Sequence, residues 1–125
     1  MPVLQSKLLL VEVDPQLLEA RTSLLAQNGY EVSTASTLTS ALRLFRSFPF
    51  DLLVIGASVE ERERTAMAAI SKRINPRARV LAMIGLDQKQ PLADGWMTSN
   101  KESDILDAVA TLLTKDDNRR SSAAA

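Results

Sequence analysis

Two short runs in this chain, Leu8-Leu9-Leu10-Val11 and Leu52-Leu53-Val54-Ile55, contain no polar residue. A strand with one wet face alternates apolar and polar side chains, so an unbroken apolar run marks a strand covered on both faces. Helical spacing follows each run. After the first, Asp14-Pro15 supplies an N-cap and a proline at the first helical position, and Leu17, Leu18, Leu24 and Leu25 recur up to a stop at Asn28-Gly29. Tyr30 to Thr34 then alternates at period two, and Leu38, Leu42 and Phe45 return to helical spacing before Phe48-Pro49. After the second run, Ser58 with Glu61 three residues on reads as a capping box. The helix it opens presents Met67, Ile70 and Ile74 and ends at Asn75-Pro76. Arg79 to Ile84 reads as a fourth strand, Gly85 to Gly95 mostly as loop, and Trp96-Met97-Thr98 as a short fifth strand. Ser103 is the expected cap of a last helix that turns Ile105, Val109, Leu112 and Leu113 inward.

Strands alternating with helices through short connections require right-handed crossovers, and these build a parallel sheet with helices on both faces. The predicted fold is therefore α/β, a doubly wound five-stranded parallel sheet in the flavodoxin-like order 2-1-3-4-5. One domain is expected over residues 1–114, with a polar tail or linker stub over 115–125 and room for an output domain beyond Ala125. Ligands in such sheets sit outside the carboxyl ends of strands one and three. Here that crevice is bordered by Glu12, Val13, Asp14, Gly56 and Ala57.

Composition narrows what chemistry the crevice can hold. The chain has no Cys and no His, which removes disulfides, Cys/His zinc sites, thiol nucleophiles and every Ser-His or Cys-His dyad. Neither strand-to-helix junction offers a Gly-rich phosphate cradle. Fifteen basic residues balance fifteen acidic ones, so no global field draws the protein to nucleic acid or anionic lipid. The apolar runs are far shorter than a membrane span, and Met1 to Ser6 has no signal-peptide pattern, so a soluble, cytoplasmic domain is expected. Asp14 reads as a helix cap rather than a ligand, and Glu12 as a solvated carboxylate projecting from the sheet's rim. Glu60 to Arg64 reads as a solvated helix face with a Glu60–Arg64 pair. Lys72, Arg73, Arg77 and Arg79 form a basic cluster at the far end of that helix. Trp96 is the candidate interaction anchor if part of it is exposed.

The ordered series Leu8-Leu9-Leu10-Val11-Glu12-Val13-Asp14-Pro15, Asn28-Gly29-Tyr30-Glu31-Val32, Ala41-Leu42 and Phe50-Asp51-Leu52-Leu53-Val54-Ile55 resembles the receiver domain of bacterial two-component response regulators, the CheY-like superfamily. The likeness runs from about Lys7 to Leu113. It implies an aspartate at the end of strand three that takes phosphate from a histidine kinase, and an acidic pair after strand one that holds Mg²⁺. It also implies a Thr or Ser after strand four and a Lys after strand five. Carried onto this chain, the acceptor position falls on Gly56, the acidic pair on Glu12 and Val13, the Thr/Ser position on Ile84 and the Lys position on Ser99, with Asn100 after it. Only Glu12 keeps its chemical type. The resemblance thus implies a pseudo-receiver with no cofactor, no metal and no enzymatic activity. The stretch from Ile84 to Ser99 is about two helical turns shorter than the family's, so the family's fourth helix is expected to be shortened or lost. Trp96 falls on the family's switch-aromatic position.

The expected function is phosphorylation-independent signalling by protein–protein contact or self-association, without direct nucleic-acid or membrane binding. The alternative is a small-molecule regulatory site in a neutral crevice lined by Val13, Ile84 and Gly56.

Overall fold

The computed structural model describes residues 5–84, 90, 92–98 and 101–124, with side chains as far as Thr114. Its elements are β1 (Lys7–Val11), α1 (Pro15–Gln27), β2 (Glu31–Ala35), α2 (Leu38–Ser47), β3 (Leu52–Ile55), α3 (Glu61–Ile74), β4 (Arg79–Met83), β5 (Gly95–Met97) and α4 (Glu102–Ala124). The strands form one sheet in the order β2-β1-β3-β4-β5, and every neighbouring pair is parallel. This is the predicted architecture. Among the described residues no helix stands between β4 and β5, in keeping with the short spacing there.

Period-two geometry explains why β1 from Leu8 onward and all of β3 are apolar, because each strand feeds two cores at once. Leu9, Val11, Leu53, Ile55, Val80 and Ala82 pack with Ala41 and Phe45 of α2 and with Met67 and Ala68 of α3. Leu8, Leu10, Leu52, Val54, Leu81 and Met83 face the other way, against Leu25 of α1 and Ile105, Val109 and Leu112 of α4. The register sets Val11 between Ala35 and Ile55, and Ile55 beside Ala82. The carboxyl ends of the central strands therefore finish level with one another, and polar side chains from the flanking loops and helices converge on that edge.

Asp14 caps α1 as its sequence position requires, its carboxylate accepting from the N–H of Gln16 at 2.9 Å and of Leu17 at 3.3 Å. Two other predicted caps are not caps. Glu60, not Ser58, stands at the N-cap of α3 and makes no side-chain cap bond, so the expected capping box does not form. Glu61 and Glu63 in the first turn favour the positive helix end in its place. Ser103 lies inside the first turn of α4, which begins at Glu102. Thr37, which local spacing did not single out, caps α2 by accepting from Ser40 N–H at 3.1 Å. The residues after Lys115 continue α4 to Ala124, in a stretch that has no Gly or Pro to stop a helix.

The basic residues at the end of α3 do not form a free cationic patch. Lys72 Nζ lies 2.6 Å from Asp94 Oδ2 and Arg79 Nη1 lies 3.4 Å from Asp94 Oδ1, while Arg73 and Arg77 do not share in that cluster. Asp94 also accepts from Val80 N–H at 2.7 Å, so one carboxylate holds the end of α3, the start of β4 and the approach to β5 together. Burial pushes that carboxyl up. The Lys72 hydrogen bond, the Val80 N–H and the charges of Lys72 and Arg79 outweigh burial and hold it below its ordinary value.

Candidate functional site at the carboxyl edge of the sheet

Glu12 follows the last residue of β1, and its N–H still donates to Ala35 O at 3.2 Å. Gly56 follows the last residue of β3, and its N–H donates to Val11 O at 2.8 Å. Both residues therefore extend the ladder by one step and lie side by side. The Glu12 side chain does not project into solvent as expected, because the residue is fully buried. Its carboxylate folds across Gly56: a Cβ at that position would overlap Oε1, Cδ and Oε2 of Glu12 unless that side chain moved away. What crowds residue 56 is this close approach, not backbone torsion, so any larger residue there obliges the Glu12 carboxylate to shift.

A buried carboxylate is costly unless it is paired and hydrogen-bonded. Glu12 has both kinds of partner. Arg21, pointing inward from the second turn of α1, donates from Nη1 to Oε2 in a buried ion pair. Burial pushes the Arg21 guanidinium down from its ordinary value. On the other side, the Ser58 hydroxyl donates to Oε1 at 2.7 Å and the Ser58 N–H donates to the same oxygen at 3.3 Å. Ser58 Oγ in turn accepts from Val13 N–H at 2.8 Å and from Asp14 N–H at 3.1 Å. One hydroxyl thus uses its donor and both lone pairs to join the loop after β3 to the loop after β1. Ser58→Ala is expected to raise the hydrogen-exchange rates of the Val13 and Asp14 amides at least about tenfold, with a stability loss of about 1–3 kcal/mol. Unchanged protection at those two amides would show that Ser58 does not hold them.

Arg64 corrects a further expectation. It is 4% exposed and belongs to the core side of α3, not to a solvated face. Its Nη1 donates to Val59 O and, at 3.4 Å, to Ala57 O, so it grips the loop that carries Ser58.

The remaining predicted positions do not close around Gly56 as a neutral slot. Val13 is half exposed, whereas Ile84 is buried. Ser99 lies outside the described residues. The space beside Gly56 expected to be free for a small molecule holds the Glu12 carboxylate instead. An open depression of about 360 Å³ lies next to it, lined by Ala57, Ser58, Val59, Glu60, Glu61, Arg64 and Ile84. Trp96 is 47% exposed on β5, opposite Ala82, on the face of the sheet that carries α2 and α3.

No family model matches the sequence, and no curated protein matches it either. Solved structures do. A CheY-like response regulator receiver domain protein from Methanospirillum hungatei JF-1 superposes with a TM-score of 0.83 at 20% identity, over 92% of this chain and 98% of that one. The chain has the CheY-like receiver fold. The response regulator TrrA from Thermotoga maritima, in complex with Mg²⁺ and BeF, shares this receiver fold at a TM-score of 0.76 and 21% identity, over 86% of this chain and 99% of that one. TrrA in complex with the histidine kinase ThkA gives a TM-score of 0.75 at 21% identity, over 87% and 99%.

The Mg²⁺ that the receiver fold implies does not suit the residues of this chain. Magnesium takes oxygen ligands in near-octahedral geometry. Val13 and Gly56 bring no side-chain oxygen, Asp14 is exposed and engaged as a helix cap, and Glu12 is committed to Arg21 and Ser58. Among the described residues no three Asp, Glu, His or Cys side chains gather as a metal-binding group. Among them, too, no helix is long and apolar enough to cross a membrane.

Proposed function

We propose that this domain is a receiver-like module of two-component signalling that works without being phosphorylated and acts by binding a protein partner or a second copy of itself. The observation that carries the reading is the filled crevice. Aspartyl-phosphate chemistry needs a carboxylate nucleophile, and the position the family resemblance assigns to it is Gly56, covered by the Glu12 side chain. A phosphoryl group arriving there would meet a carboxylate already neutralised by Arg21, with no acceptor beneath it. The domain is read as non-catalytic and cytoplasmic, with Glu12, Val13, Gly56, Ile84 and Ser99 as the remnants of the receiver site.

Contact with a partner is the role left to the surface. Trp96 and Leu92 are each 47% exposed near β5, and a half-exposed Trp is the residue type that most often anchors an interface. Incubation with acetyl phosphate and Mg²⁺ followed by intact mass measurement is expected to show no acid-labile adduct of about 80 Da. A stoichiometric adduct would end the phosphorylation-independent reading.

A further inference from the structure

We propose that the crevice is a self-occupied cation site, in which the Arg21 guanidinium compensates the buried Glu12 carboxylate and so ties the loop after β1 to the loop after β3 without any ion from solution. The inference rests on the phosphorylation-independent reading and deepens it by naming what controls that same site.

Three observations bring it together. Glu12 is fully buried beneath the loops, so its charge needs a cation in contact with it, and Arg21 is the cation the structure supplies. Arg21 leaves the apolar stripe of α1 between Leu18 and Leu25, and α1 is capped by Asp14, so the guanidinium is delivered from a rigid element. The Glu12 carboxylate also anchors Ser58, which holds the Val13 and Asp14 amides, so the ion pair and the loop-to-loop connection form one unit.

A tethered guanidinium has the advantage of effective concentration over a free ion. An intramolecular partner acts at an effective millimolar or higher concentration, and it arrives already dehydrated by the packing of α1. Mg²⁺ gives up its water reluctantly and would find only one carboxylate in the crevice. The state of the two loops is therefore set by the chain itself.

The test is thermal unfolding of the full chain with chosen cations. Wild type is expected to show the same Tm with and without Mg²⁺ at about 10 mM; a rise would overturn the proposal. Arg21→Ala is expected to lower Tm by about 10 °C or more, because it leaves a buried charge uncompensated. Guanidinium ion at about 20 mM should then raise the Tm of Arg21→Ala by a few degrees. The same concentration of NaCl should not, and guanidinium should leave wild type unchanged. An Arg21→Ala protein that responds equally to both salts, or to neither, overturns the proposal.

A variant that fails to fold leaves a second arm. Arg21→Ala combined with Glu12→Gln removes the charge that needs compensating but keeps an acceptor for Ser58. It is expected to unfold at a higher temperature than Arg21→Ala alone and to ignore guanidinium. A double variant no more stable than the single one overturns the proposal. None of these readings depends on phosphate, so an adduct with acetyl phosphate would defeat the functional reading and leave the cation site standing, and failed rescue would do the reverse.

Discussion

Gly56→Ala is expected to destabilise the domain by about 3–5 kcal/mol, far more than a methyl group added to an open glycine would cost. The added Cβ falls on the carboxylate of Glu12, so the side chain must leave its place over residue 56. Leaving means abandoning both Arg21 and Ser58 in a buried setting, which is the costly way to break an ion pair. The same reasoning predicts that Gly56→Asp gains no phosphate, because a carboxylate introduced there sets a second negative group against Glu12 in the same space. A double-mutant cycle by urea unfolding separates this account from simple crowding. In a Glu12→Ala background the Gly56→Ala change should cost less than about 1 kcal/mol, since the atoms it strikes are gone. Equal costs in both backgrounds would mean that Glu12 is not what makes residue 56 a glycine.

The large-scale design of the molecule could be read from local signals, and the site could not. Leu8 to Val11 and Leu52 to Ile55 announce strands covered on both faces, and Asp14-Pro15 and Asn28-Gly29 bracket α1, because strand periodicity and helix capping depend on residues close in sequence. The fate of Glu12 depends on contacts 9 residues away, at Arg21, and 46 residues away, at Ser58. A lone carboxylate at a strand end has no partner nearby in sequence, so the local pattern alone puts Glu12 in solvent. A signal was nevertheless present. Arg21 stands three residues after Leu18 and four before Leu25, in the stripe α1 turns to the core, and an arginine there must find a buried acceptor. Ser58 departs from its expected role for a related reason. Its spacing from Glu61 fits a capping box, yet its hydroxyl is used up by Glu12, Val13 and Asp14, three partners that only the sheet brings near it. That residue 56 offers no side chain is plain in the sequence, since glycine has none in any fold. What the structure adds is that the Glu12 carboxylate lies in the space beside it.

Asp94→Ala is expected to cost about 2–3 kcal/mol, and the loss should be concentrated at β5. The carboxylate gathers Lys72, Arg79 and the Val80 N–H, while the Asp94 N–H donates to Val80 O at 2.9 Å, so the residue fastens the approach to β5 on both sides. β5 is an edge strand of three residues, too short to hold its register by ladder bonds alone. The pH dependence follows from the depressed carboxyl. A group whose folded pKa lies below its ordinary value of about 3.8 contributes stability that is fully present above that value and is lost as pH falls through the folded pKa. Wild type should therefore lose stability as pH drops below about 4, and Asp94→Asn should lose less over the same window while starting from a lower value at neutral pH. Trp96 stands two residues beyond Asp94, so its emission reports directly on whether β5 stays docked. If the acid-induced change in Trp96 emission is the same in wild type and Asp94→Asn, another carboxylate controls that edge. If it is absent from the variant, the link between Asp94 and the exposed aromatic is established, and the surface proposed for partner binding is held in shape by the Asp94 charge cluster two residues before it.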